Sequence, residues 1–397
     1  MRDLLKNISF IVLIITSFFI FAHRKLITEL QQSRDIVAEN SSQAAGVVES
    51  ATTSLKVASS TPSITTSTPP RATSTVPVIQ KAKPLATKAK PAPAIAPTTS
   101  NGQRQIEPIQ NPYPFPTLEP SALNSGTRDA LVNIICLPGS GTGQGISGSG
   151  VVIDSRGVIL TNAHVAQYVL LAQSGKVDLS CAVRMGSPAT AQWRVATLYI
   201  PPIWVDQHAA DLASNVHATG TGEHDYGLLY ITGSLDGSNV SQFPYLQFDT
   251  RELIGFTQDQ VLVGSYPAEF TNALSRSGFY SATSYTTIKQ LMTFVTGSID
   301  VYSLGGIIEA QNGSSGGAVV NLWGRLIGIV VTTSAGDTTG QRDLHALTLN
   351  YIDRDLTVQT GDNLATTLSA NIAARANAFN NGIGTAMTQK LLNVLSH

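Results

Sequence analysis

Three short segments of the 397-residue chain hold residue types suited to proton transfer, nucleophilic attack and charge stabilisation. In Val158-Ile-Leu-Thr-Asn-Ala-His164-Val an apolar strand ends in a histidine preceded by small Ala163, so the ring sits at a strand exit, free to reach a neighbour. In His224-Asp225-Tyr-Gly-Leu-Leu-Tyr-Ile an aspartate opens a strongly apolar strand. Ionised and half-buried, it accepts only, which suits it to holding an imidazole by its Nδ1–H. In Gln311-Asn-Gly313-Ser314-Ser315-Gly316-Gly317-Ala-Val-Val-Asn321 a serine lies in a glycine-dense turn before a strand. Backbone N–H groups in such a turn can converge on one point, as an oxyanion hole requires. A lone histidine of this kind is ordinarily a satisfied core residue; the three together, 61 and 90 positions apart, carry more weight. Successive strand residues face opposite sides, so only one of His224 and Asp225 can serve the site, and the strand that follows favours Asp225.

These residues need elements to hold them. From residue 121 the chain breaks into short runs rich in Val, Ile, Leu, Thr and Tyr between Gly, Ser, Asn and Asp turns. Strands are expected at 130–136, 150–153, 157–161, 193–200, 227–231, 260–265, 318–321 and 326–331. Short strands at close spacing with few helical periods predict an all-β sandwich or barrel.

In chain order, T-N-A-H-V, D-Y-G-L-L and G-S-S-G-G-A-V-V-N followed by G-R-L-I-G-I resemble the trypsin/chymotrypsin-like serine peptidase family, in particular its bacterial HtrA/DegP-like branch. The resemblance covers residues 121–356. It implies a double β-barrel with the site in the cleft between barrels, His164 and Asp225 from the first and Ser315 from the second. It further implies that Ser315 attacks the scissile carbonyl, His164 shuttles the proton, and Asp225 holds the imidazole. The Gly313 and Ser315 amides would bind the oxyanion. Ser314 stands where digestive enzymes have Asp and HtrA-like ones often Asn, so activation by a freed N-terminus is not expected. Ala318 replaces a common proline, and Gly227 a common alanine. Of the two adjacent serines, the Gly-Gly that follows selects Ser315. The same turn satisfies the G-x-S-x-G pattern of α/β-hydrolases, but that fold needs its Asp and His after the serine.

In the resembling family the residue six before the nucleophile lies near the base of the S1 pocket. Here it is Glu309, which would select Arg or Lys at P1; a loop glutamate facing solvent is the alternative. The strand segment Ile329, Val330, Val331 and Thr332 would pair with an extended substrate by β-augmentation. Cys136 and Cys181 form a disulfide candidate, with two separate buried thiols the other reading. His208, His217 and His345 lack tight ligand spacing, so neither metal nor cofactor is expected.

Residues 8–22 are uncharged and apolar, with Arg2 and Lys6 before them and Arg24 and Lys25 after. Fifteen residues make roughly 22 Å of helix, and snorkelling flanks let that span a bilayer. Residues 1–25 therefore read as a membrane anchor, with a cleaved signal peptide as the rival. Residues 26–58 form a juxtamembrane stretch whose apolar stripe supports only a marginal helix. Residues 59–120 hold 13 of the 19 prolines and two Lys-Ala-Lys-Pro copies, the composition of a disordered linker. The peptidase-like region runs over 121–360. A helical tail over 361–397 is expected, Asp362 capping its first helix and Asn380-Asn-Gly382 stopping it; this tail is too short for the PDZ domain common in the HtrA-like branch.

The three blocks 1–58, 59–120 and 121–397 carry 6, 6 and 13 Lys/Arg against 5, 2 and 19 Asp/Glu. An acidic body leaves no footprint for nucleic acid. The expectation is a single-pass, membrane-anchored, extracytoplasmic serine endopeptidase acting on proteins or peptides. Its rival is a silent protease-fold binding module on the cell surface.

Overall fold

The computed structural model describes residues 111–139, 145–214, 221–235, 237, 240–268, 279–294, 297–334 and 336–396. The expected anchor and most of the linker lie outside these residues. Among the described residues no helix is long and apolar enough to cross a membrane.

The first half is a closed barrel of six antiparallel strands in the order β1-β2-β3-β6-β5-β4. These are β1 Leu131–Leu137, β2 Ile146–Asp154, β3 Val158–Thr161, β4 Ser180–Met185, β5 Ala191–Tyr199 and β6 Gly227–Ser234. Bulges in the β2/β3 and β5/β6 ladders provide the local bends that closure needs. Cys136 and Cys181 stand directly opposite each other on β1 and β4 and are joined by a disulfide. With the two cysteines 45 positions apart in sequence, this cross-link contributes about 4 kcal/mol through the unfolded chain.

The second half is a seven-stranded antiparallel sheet in the order β8-β7-β11-β12-β13-β10-β9. Its strands are β7 Gln260–Ser265, β8 Ala282–Thr287, β9 Gln290–Met292, β10 Val301–Ser303, β11 Ala318–Asn321, β12 Leu326–Thr333 and β13 Leu344–Thr348. Its two edge strands, β8 and β9, are separated by Ile288 and Lys289 alone, so the sheet must curl until its edges meet. Lys289 N–H donates to Ser303 O and Thr286 Oγ1 to Leu304 O, which tie that junction. One buried cluster joins the two halves, with Leu160, Leu198, Tyr226 and Leu228 packed with Val301, Ile329, Val331 and Leu347.

Helices complete the body, more than the strand-rich texture predicts. The first is α1, Pro120–Ala130, and the second α2, Ala163–Gln173. Short α3, Pro202–His208, and α4, Asp211–Ser214, follow β5. Directly after β13 comes α5, Leu349–Thr360, capped by Thr348 Oγ1 accepting from Tyr351 N–H and closed by left-handed Gly361. The tail forms α6 Leu364–Ser369, α7 Ile372–Asn381 and α8 Ile383–Leu395. Asn363 caps α6 where Asp362 was expected; Asp362 pairs with Arg375 instead. Phe379, Met387 and Leu391 of the tail pack into the first-barrel core.

The linker boundary also differs from expectation. Residues 111–119 lie on the second half, where Tyr113 OH donates to Asp249 and Trp323 Nε1–H to Phe115 O. Leu118 N–H donates to Leu322 O. Tyr113 and Phe115 bring aromatic rings to this stretch, which the sequence of 59–110 does not contain.

Candidate active site

Antiparallel pairing sets Thr161 of β3 opposite Gly227 of β6. The chain leaving β3 and the chain entering β6 thus emerge at the same end of the barrel, and residues 162–164 lie beside 224–226. His164 falls in the first turn of α2 rather than at a bare strand exit. Asn162, at the N-cap position, donates from its side chain to Asp225 O at 2.8 Å. The His164 backbone N–H donates to Asp225 Oδ1 at 2.9 Å, and its ring Nδ1 lies 2.7 Å from Asp225 Oδ2. The buried carboxylate therefore serves an orphan amide at the positive end of α2 and the imidazole together. Burial works against the imidazolium, but the charge and hydrogen bond of Asp225 outweigh it and raise the His164 pKa.

The serine turn is held against this pair from across the molecule. Ser149 of β2 donates its N–H to Ser315 O at 2.8 Å. Its hydroxyl donates to Gly313 O at 2.7 Å while accepting from Tyr266 N–H at 2.8 Å. Thr161 Oγ1 in turn donates to Ser149 O at 2.7 Å. Gly316 adopts φ +85°, and a Cβ there would stand 2.1 Å from Ser149 O and 2.5 Å from Thr161 Oγ1, so only glycine fits. Ser314 is buried and accepts a hydrogen bond from Ser265 Oγ at 3.0 Å, whereas Ser315 is half-exposed. Among the described residues Ser315 Oγ has no hydrogen-bond partner, His164 included, and the Gly313 and Ser315 amides donate to no backbone acceptor. The turn presents one hydroxyl and two N–H groups while packed on Ser149 and on Thr161, three residues before His164.

Residues 148–329 match the family model of the trypsin-like peptidase domain. No curated protein matches the chain. The matched stretch runs from β2 into β12 and contains all three segments with which the sequence reading began.

The departures from the family pattern have local causes. A Cβ on Gly227 would stand 2.9 Å from Ala166 Cβ, because α2 packs directly on the start of β6. Ser314 meets a neutral partner, Ser265, where a charged residue would need a counter-ion.

Glu309 does not face solvent. It is fully buried, with Oε1 accepting from Ser284 Oγ at 3.0 Å and Oε2 without a partner among the described residues. Desolvation pushes its carboxyl up to about 7. Within the segment Ile329 to Thr332, expected to pair with substrate, the first two residues already have backbone partners. Ile329 pairs with Ala318 on one side and Leu347 on the other, and Val330 spends both backbone groups on Gly316 and Gly317. Only from Val331, at a bulge in the β12/β13 ladder, does this side of β12 lie beyond the end of β11.

His208 pairs with Asp211 and stacks on Trp204, and His345 pairs with Asp343. His217 lies outside the described residues. Ser149, Thr161 and Asn162 were not singled out in the sequence, although Thr161 and Asn162 lie in the His164 segment. Nothing in the local sequence distinguishes a residue that organises the serine turn from an ordinary strand residue.

Proposed function

We propose that the trypsin-like domain is a serine endopeptidase with His164, Asp225 and Ser315 as its triad. Ser315 Oγ attacks the scissile carbonyl carbon while His164 Nε2 takes its proton. The oxyanion is received by the Gly313 and Ser315 amides. His164 then protonates the leaving amine as the C–N bond breaks, leaving Ser315 acylated. Water, deprotonated by His164, attacks the acyl carbon, and the acyl–Oγ bond breaks as His164 returns that proton to Ser315 Oγ. Asp225 keeps the proton on Nδ1 and stabilises the imidazolium. No step needs a cofactor. The observation that carries this reading is the doubly bonded Asp225 carboxylate, 2.7 Å from the imidazole it orients.

Glu309 supports a basic P1 preference: a Lys or Arg side chain would be the partner that its second oxygen lacks. The apolar run 8–22 supports a single-pass anchor with the domain outside the cytoplasm, and the Cys136–Cys181 disulfide suits an oxidising compartment. Within the family, the motifs point to an HtrA-like enzyme acting in quality control of exported proteins or processing of surface proteins.

Labelling of the full chain with a serine-reactive fluorophosphonate tests the reading. Labelling should vanish in Ser315→Ala and His164→Ala and persist in Ser314→Ala. A folded wild type that takes no label would give first place to the silent binding module.

A further inference from the structure

Behind the His164–Asp225 pair lies a second carboxylate, on a helix that the family match does not reach. Asp355 of α5 is buried and has both oxygens engaged. Oδ1 is 3.0 Å from His224 Nδ1, and Oδ2 accepts from Tyr226 OH at 2.9 Å and from Gln359 Nε2 at 2.5 Å. One turn earlier on the same helix, Tyr351 OH accepts the His224 backbone N–H at 2.9 Å. The residues immediately before and after Asp225 are therefore both fastened to α5, while Asp225 itself faces His164. His224 is held at φ +60°, a left-handed conformation that a residue with a Cβ adopts rarely. That conformation turns the chain so that 224 and 226 point one way and 225 the other. Asp225 N–H to Gly222 O closes a β-turn that places His224 at its third position, where φ > 0 usually calls for Gly or Asn, and the ties to α5 hold the histidine there.

We infer that Asp355 is a positioning residue: through His224 and Tyr226 it fixes the Asp225 carboxylate against His164. The inference rests on the triad reading for its catalytic consequence, but not for its geometry. The charged and titratable groups around His224 are Asp355 and Tyr351 from α5 and Glu223 from its own turn, the last 3.8 Å away. The ring therefore sits beside two carboxylates whose charge and hydrogen bonding favour its protonated form, against the cost of its burial.

The test compares Asp355→Asn, His224→Asn and Tyr226→Phe in the full chain. Asparagine tolerates the left-handed turn but cannot replace the imidazolium, and phenylalanine keeps the ring in the core. Asp355→Asn should lower kcat by about 10²-fold with KM little changed, the scale of a misplaced catalytic group. The acid limb of the kcat/KM profile should move to lower pH as Asp225 loosens its hold on His164. The low-field proton resonance of His164 Nδ1–H should broaden or move upfield. His224→Asn and Tyr226→Phe should each show part of these effects. Arg354→Gln, which cuts the neighbouring tie from α5 to Asp300, is the control for helix docking in general and should leave the resonance in place. The inference is overturned if folded Asp355→Asn keeps the wild-type rate, pH profile and resonance, or if Arg354→Gln moves them equally. Should the wild type take no fluorophosphonate label, the serine peptidase reading falls. The resonance, which needs no turnover, then still decides whether Asp355 positions Asp225.

Discussion

The two halves of the candidate site are built by different means. His164 and Asp225 belong to one barrel, and their approach follows from a strand register only a few residues away. Ser315 belongs to the other half, and its turn is placed by contacts reaching across to Ser149 and Thr161 on β2 and β3. The acid–base half is thus closed by local hydrogen bonds, with a 2.7 Å His–Asp contact. In the serine half, the Ser315 hydroxyl has no hydrogen-bond partner and the Gly313 and Ser315 amides no backbone acceptor among the described residues. A site divided in this way can lose either half without losing the other, and substitutions should separate them.

The largest effect is expected from Asp225→Asn, which breaks only the acid–base half. The amide can still accept from the His164 backbone, but it favours the wrong imidazole tautomer, and kcat should fall by about 10⁴-fold. The pH dependence sharpens the point. His164 must be neutral to accept a proton, and Asp225 raises its pKa, so the wild-type acid limb lies above the ordinary histidine value. Removing the negative charge must move that limb down. A limb that stays in place would show that another group sets it.

Gly316→Ala breaks the opposite half. The new Cβ would overlap Ser149 O and Thr161 Oγ1, forcing the serine turn off β2 and dispersing the oxyanion amides. A loss of roughly 10²–10³-fold in kcat is expected, with the His164 proton resonance unchanged. Ser149→Ala is the milder form. It frees Gly313 O and Tyr266 N–H but adds no clash, so a loss of roughly tenfold is expected, equivalent to about 1.4 kcal/mol in the barrier. Equal effects of Ser149→Ala on the nucleophile and on the His164 resonance would mean that the halves are not independent.

The same division governs how much was legible in the sequence. The three chemical segments could be read because each is a run of unusual local composition, and β7 and β11 fell at their expected bounds. β8, with its Ala-Thr-Ser-Tyr-Thr-Thr sequence, and three-residue β9 and β10 carry no apolar alternation, so nothing local marked them as strands. α2 was missed for the reverse reason. It is apolar almost all round, and such a run reads equally as a buried strand. That miss displaced His164 from a helix N-terminus to a strand exit and hid the amide that Asp225 also serves. The links from Ser149 to Gly313 and from Asp355 to His224 span 164 and roughly 130 positions and have no periodic signature.

The smallest effect, and the most selective, concerns Glu309. Its folded pKa, near 7, lies above the ordinary carboxyl value, so the unfolded chain ionises first as pH rises. Between about pH 4.5 and 7 the folded state holds more protons, and stability must fall with rising pH, by roughly 3 kcal/mol at most. Glu309→Gln removes that dependence. It should match the wild type in thermal unfolding near pH 4 and exceed it at pH 8. Activity adds a second, independent reading. If Glu309 receives a basic P1 side chain, kcat/KM for Lys or Arg substrates should rise with two ionisations, His164 losing its proton and Glu309 losing its own. A neutral-P1 substrate should report His164 alone, and Glu309→Gln should abolish the difference between the two profiles. Identical wild-type profiles for both substrates would assign the buried carboxyl to the core of the second half, with its partner Ser284, and remove it from substrate selection.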